Sequence, residues 1–315
     1  MRYKDESIRN NELGAFLFLS VAALVLFEVT LRQISPLLIS HEKEVRESIG
    51  AFENRAPEIE LLFLGNSLTM HAINPEVMDE LELQIHNFSY LNEPIRTTYW
   101  KLKYYLDQGR LPKLKNVFLQ LAIHDQGVRY EYDYHKYYKY FDIIKELNLS
   151  EWYRFTLSHL YIYRVGRNIL KKISDGEYRP ISKYGFRIAH RKLSNNAFKF
   201  LAKKITGKLA NIEQVVDNLN ISYYKKFVDM LENHGIRVYL YSLPTPLTYK
   251  NLSKLPDKKI VEVYFEKDFA NYFSFDQIDI GCSYPCFLDT GHLNFEGASR
   301  ISQSISNIIK DELKN

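Results

Sequence analysis

The sequence predicts an α/β domain with a parallel sheet covered by helices on both faces, and three observations carry that reading. Short runs such as Leu61-Leu62-Phe63-Leu64 are apolar at consecutive positions, as in strands buried on both sides. From residue 58 onward, segments with apolar residues at helical spacing separate these runs. Strands joined through helices of that length run parallel, because a long crossover returns the chain to the same end of the sheet.

The elements follow in order. Residues 58–64 read as a strand that stops at Gly65-Asn66-Ser67, and residues 75–81 as a short helix with Asn74 as cap and Pro75 in its first turn. Residues 83–88 are a second strand. The helix after it carries Ile95, Tyr99, Leu102 and Leu106 on one face until Gly109 closes it. "NVFLQL", from Asn116, is a third strand. The rhythm then lapses between His124 and about Ala210, a stretch rich in tyrosine and lysine that reads as helices and loops inserted after the third strand. Such an insertion lies over the edge where a parallel sheet presents ligands, as a lid or substrate platform. Its aromatic rings suit sugar faces, although plain packing is the commoner use of tyrosine in a helix. Val216, Leu219, Tyr223, Phe227 and Met230 mark the next helix, which Gly235 ends before the strand "IRVYLYSL". The final helix follows Asn294, with Ala298, Ile301, Ile305, Ile308 and Ile309 on one face.

The chain of 315 residues is long enough to bury a sizeable core. Its 42 basic and 38 acidic residues are too evenly balanced for nucleic acid, which leaves a concentrated basic stripe. Near the amino terminus, residues 14–31 are apolar except for Glu28, long enough to cross a bilayer. Residues 1–13 then form a tail, 14–32 a transmembrane anchor, 33–57 a juxtamembrane linker with a short charged helix, and 58–315 the soluble domain. A cleaved signal peptide fits less well, because no positive excess precedes the apolar core and no small-residue cleavage site follows it. A buried soluble helix is seldom apolar on all faces. Arg2, Lys4 and Arg9 before the span, against Arg32, Lys43, Arg46 and Arg55 after it, leave orientation open.

Two short motifs carry the chemistry. Gly65-Asn66-Ser67 is ordinary turn composition, yet it places Ser67 at the carboxyl end of a strand, where a serine becomes a nucleophile if a base reaches it. Far downstream, "CFLDTGHLNFEG" places Asp289 and His292 three residues apart on a loop before the last helix. Alone, that pair is a polar turn. Together with Ser67 it supplies what acyl transfer requires: a hydroxyl, an imidazole to take its proton, and a carboxylate to orient the imidazole. No His, Asp or Glu cluster has zinc spacing.

Gly65-Asn66-Ser67 after the first strand, with Asp289-x-x-His292 before the terminal helix, resembles the SGNH/GDSL hydrolase superfamily. The resemblance covers residues 58–315 apart from the insertion at about 124–210. With the anchor, it is similar to the branch that handles acyl groups on cell-envelope polymers, which includes polysaccharide O-acetyltransferase accessory proteins and the teichoic-acid D-alanylation protein. The resemblance implies a flavodoxin-like three-layer α/β/α sandwich, with Ser67 as nucleophile, His292 as base and Asp289 as its orienter, and no cofactor. It also implies a single-pass protein of the cytoplasmic membrane with its catalytic domain outside. An envelope glycan or other acylated polymer and a membrane-bound acyltransferase are the implied partners.

The chain departs from the family at three points. Asn66 stands where an acid is usual. The second strand ends "HNFSYLNEP" without the family's glycine, so the backbone N–H of Ser89 takes its place as oxyanion donor, with the side chains of Asn87 and Asn92 as further candidates. The third strand ends "LAIHDQG" without the family's asparagine, leaving His124 nearby. His71 reads as a loop residue that contacts substrate. Cys282 and Cys286, the two cysteines, flank Pro285 and would pair in an oxidising compartment. The expected activity is a serine esterase or acyltransferase acting on acyl, notably acetyl, esters of an envelope glycan. The alternative is a non-catalytic assembly or glycan-binding protein that retains the fold.

Overall fold

The computed structural model of the chain describes residues 2–38, 40–91, 93–121, 180–192, 194, 196, 218–243, 272–275, 281, 284–289 and 291–312. Five strands among them, β1 (Leu61–Leu64), β2 (Ile85–Asn87), β3 (Asn116–Gln120), β4 (Arg237–Ser242) and β5 (Tyr272–Ser274), form one sheet in the order β2-β1-β3-β4-β5. Every pairing is parallel, with Phe63 facing Asn87 on one side and Phe118 on the other. This is the flavodoxin-like order. The chain winds outward from β1 in both directions, so a crevice opens at the carboxyl ends of β1 and β3.

Alternation along β1 divides the core. Leu62 and Leu64 point into a layer with residues of helices α2 (Ser40–Arg55), α4 (Ile95–Asp107) and α5 (Asn218–Asn233). Leu61 and Phe63 point the other way, onto Ile301, Ile305 and Ile309 of α6 (Phe295–Glu312) and onto Met78. All four side chains of β1 are buried, which is why it reads as an unbroken apolar run. Between β1 and β2 lie α3 (Ser67–Ala72) and a 3-10 helix, Pro75–Leu81, whose Glu76 N–H donates to the side chain of Asn74.

The amino-terminal region differs from the sequence reading. One helix, α1 (Arg2–Leu38), runs well past the apolar segment, and α2 follows it almost at once. Over Gly14–Leu31 the mean hydropathy is 2.2, and Phe16, Phe18, Leu24 and Leu26 are exposed, so this is a candidate membrane span and not a packed core helix. Within the stretch expected as linker, 33–57, the expected charged helix is α2, and it packs on the core. Val45, Phe52 and Ala56 recur at helical spacing and are buried, and the Phe52 ring stacks on Phe88 at 3.7 Å. The helix itself is legible in the sequence, and the charged residues between these positions mask only its apolar stripe.

Of the insertion expected at 124–210, the longest described stretch is 180–192. It is a tight turn, closed by an antiparallel bridge between Ile181 and Arg187, that runs along the β2 edge. Asn87 N–H donates to Tyr184 O at 2.9 Å. Gly185, at φ +83°, lies so close that a Cβ there would stand 1.8 Å from Asn87 O. The expected helices of the insertion lie outside the described residues.

Candidate active site

The turn that ends β1 is built for close approach. A Cβ on Gly65 would stand 2.3 Å from Thr69 Oγ1 and 2.5 Å from Gln120 Oε1, so only glycine fits. Gln120, at the carboxyl end of β3, accepts hydrogen bonds from Asn66 N–H at 3.0 Å and from the Thr69 hydroxyl at 2.8 Å. Since Thr69 spends its proton there, the Tyr241 hydroxyl, 2.7 Å away, donates to Thr69 Oγ1. Burial raises the Tyr241 phenol above its ordinary pKa, keeping it protonated for that role. Tyr224 Oη in turn donates to Gln120 O at 2.7 Å.

α3 begins at Ser67, and Asn66 caps it by accepting from Leu68 N–H at 2.9 Å. Six residues are too few for a helix to hold itself, so its ends depend on outside partners. At the far end, Asn87 Nδ2 donates to Thr69 O and Ile73 O, both at 2.9 Å. The Arg187 N–H donates to Met70 O at 3.2 Å.

The second half of the site is a loop between a 3-10 turn, Tyr284–Cys286, and α6. Asp289 Oδ1 accepts from the backbone N–H of Gly291 at 2.8 Å and of His292 at 2.9 Å. Both carboxylate oxygens lie about 3 Å from His292 Nδ1, at 3.0 and 2.9 Å. Partial burial would by itself raise the Asp289 pKa. The imidazole and the two backbone N–H groups outweigh it and hold the carboxyl well below the usual range. An ionised carboxylate only accepts, so the imidazole proton sits on Nδ1 and Nε2 is left as acceptor. His292 Nε2 is 2.8 Å from Ser67 Oγ, across 225 residues of chain.

The structure thus brings Ser67, His292 and Asp289 into one hydrogen-bonded line. It also corrects other expectations. His71 is not a loop residue. It sits on α3, one turn beyond Ser67 on the same face, and its buried ring packs edge to face against His292 with centroids 5.1 Å apart. The Ser89 N–H is not open to an oxyanion, because it donates to Asn87 Oδ1 at 3.2 Å. Both protons of the Asn87 amide are spent on α3, so that side chain holds the helix in place. The side-chain oxygen of Asn66 is committed to the cap. Asn92, His124 and Cys282 lie outside the described residues. Cys286 is buried and disulfide-bonded. Among the described residues no group of three His, Cys, Asp or Glu side chains could hold a metal.

Comparison with family models and with curated proteins finds no match. Two solved structures are among those the chain is similar to. One is described as an acylhydrolase, from Bacteroides fragilis, at 11% identity and a TM-score of 0.39, covering 83% of this chain and 93% of its own. The other is described as a GDSL-like lipase, from Bacteroides thetaiotaomicron, at 11% identity and a TM-score of 0.41, covering 85% of this chain and 99% of its own. At such identity and overlap neither likeness bears on chemistry.

Sequence reasoning missed Gln120, Thr69, Tyr224 and Tyr241. A signal existed for the first: Gln120 is a polar residue in an otherwise apolar strand, and a buried amide needs partners. The loop after β2 is held by a second buried set, in which Lys101 Nζ pairs with Glu93 at 2.7 Å and Thr98 Oγ1 donates to Glu93 Oε1 at 2.9 Å.

Proposed function

We propose that the chain is a serine-dependent acyl esterase or acyltransferase of the SGNH type. The single observation that supports this most is the 2.8 Å contact between His292 Nε2 and Ser67 Oγ, with Asp289 behind the imidazole. In the first half-reaction Ser67 Oγ attacks the ester carbonyl while His292 Nε2 takes its proton. The tetrahedral intermediate collapses, the alcohol leaves with the proton from Nε2, and the acyl group remains on Ser67. In the second, water or an acceptor hydroxyl gives its proton to His292 and attacks the acyl-serine. The same proton then returns to Ser67. Asp289 keeps the imidazole in the tautomer that both steps need and stabilises the imidazolium between them.

The acceptor we infer is an envelope glycan or similar acylated polymer, with a short acyl group such as acetyl. Its support is the apolar α1, which suits an enzyme fed across or along a membrane, by a membrane-bound acyltransferase partner. The domain would then face the extracytoplasmic side, where the disulfide at Cys286 is at home. A phosphatase fused after Asn315 should be active, and its inactivity would remove the export proposal.

A second reading, an assembly or glycan-binding protein without catalysis, draws on the commitment of the Ser89 N–H and the Asn87 amide to internal bonds. Labelling of the full-length protein by a fluorophosphonate decides between them. Adduct on Ser67, absent in Ser67→Ala and in His292→Ala, supports the enzyme. An unlabelled native protein supports the assembly role.

A further inference from the structure

Residues 180–192 bond both the helix that begins with Ser67 and the helix that follows His292. The last turn of a helix leaves carbonyls unbonded, and the first turn leaves amides unbonded. Arg187 N–H satisfies Met70 O at the end of α3, the helix that starts with Ser67. Two residues later, Ala189 O accepts from Phe295 N–H at 2.7 Å, at the start of α6 and three residues beyond His292. The rings of Phe186 and His190 pack on Phe295, with centroids 6.3 and 5.2 Å away. One short segment therefore terminates the nucleophile's helix and starts the helix that follows the base.

The segment is anchored from a third direction. The guanidinium of Arg187 is buried and donates through Nη2 to Glu44 Oε1 at 2.7 Å, and Glu44 is itself buried on α2. A buried ion pair holds a geometry tightly, because separating the charges leaves both desolvated. α2 follows directly on α1, the candidate membrane span.

We propose that residues 180–192 are a brace that sets the spacing between Ser67 and His292, with Arg187 as a positioning residue anchored on Glu44 of α2. The functional weight of the brace rests on Ser67 being the nucleophile. The brace makes the alignment of hydroxyl and imidazole depend on where α2 sits, so a partner that shifts α2 changes the rate of acyl transfer without touching substrate. Small displacements suffice, since proton transfer requires the pair to stay within hydrogen-bond reach.

The test compares Arg187→Met, and the milder Glu44→Gln, with Val228→Ala in the full-length chain. Val228 is buried on α5 and serves as a control for general loss of stability. At equal distance below each variant's Tm, amide hydrogen exchange over residues 67–73 and 293–298 should be at least tenfold faster in the two brace variants than in the control. Fluorophosphonate labelling of Ser67 should be at least tenfold slower, and kcat for a small ester should fall tenfold with KM unchanged. Equal exchange in brace variants and control overturns the brace. Faster exchange in a protein whose native form takes no label keeps the brace and removes the nucleophile. If Arg187→Met does not fold, Glu44→Gln carries the same comparison.

Discussion

The two halves of the candidate site are held in opposite ways. The turn from Gly65 to Ala72 is bonded to Gln120, Tyr241, Asn87 and Arg187, residues from 18 to 172 positions away in the bonds that involve side chains. The Asp289–His292 loop orders its own carboxylate through bonds spanning two and three residues. The first half is mostly buried, whereas the side chains of His292 and Asp289 are 27% and 44% exposed. The buried turn that carries Ser67 is only as exact as the sheet beneath it. The half-exposed loop that carries His292 keeps its internal geometry by itself, and needs the fold only to be delivered to Ser67.

The largest break in this comparison removes either half outright. Ser67→Ala or His292→Ala should lower turnover of a small acyl ester by about three orders of magnitude or more, with the fold intact by circular dichroism. Asp289→Asn should cost on the order of a thousandfold or more, because Nδ1 loses its acceptor and the tautomer is no longer fixed. Retention of turnover in any of the three would end the acyl-serine mechanism.

Gly65→Ala strikes the buried half alone. With Thr69 and Gln120 already within 2.5 Å of the new carbon's position, the strand end and α3 must separate. The expected cost is about 3 kcal/mol, read from denaturant unfolding. Gly291→Ala, on the exposed loop, meets nothing nearer than 3.8 Å and should leave stability almost unchanged.

Acid should part the two regions by pH. His86 on β2 is buried, and its pKa is pushed down to about 3 by burial, with Arg55 and Lys101 adding to the effect. The unfolded chain protonates this histidine near pH 6.5 and the folded chain does not, so stability falls as pH drops from about 6.5 toward 3. By pH 4 the loss from His86 should be on the order of 3 kcal/mol relative to pH 7, and His86→Leu should flatten that part of the curve. Asp289 acts in the same direction, but lower on the pH scale. Its lowered pKa gives stability that is full above the ordinary value of 3.8 and is lost only below it. An unchanged slope between pH 6.5 and 4 in His86→Leu would contradict this assignment.

The smallest effect concerns the cap. Asn66→Ala removes the acceptor for Leu68 N–H and should cost about 1 kcal/mol, whereas Asn66→Asp keeps a capping oxygen and should stay within about 0.5 kcal/mol of the native chain. A large loss in Asn66→Asp would mean that the amide itself, and not its oxygen, is required.

The features legible in the chain are those that local chemistry dictates. Unbroken apolar runs with helical spacing between them specify a parallel α/β sheet, because period and crossover length follow from residues near one another. The Asp289–His292 pairing was legible for the same reason, as three residues on one loop can close a hydrogen bond without help. Only the tertiary structure decided the rest. It delivers His292 to Ser67 over 225 residues, and it packs the charged helix of residues 40–55 on the core through the burial of Phe52. His71 became helical because Asn87 and Arg187 bond the carbonyls of a helix too short to stand alone. The Asn87 bonds, together with the Asn87–Ser89 contact, use two of the donors that the sequence had offered to an oxyanion, the Asn87 amide and the Ser89 N–H. A donor's availability depends on every acceptor the fold brings near it, and no local pattern records those.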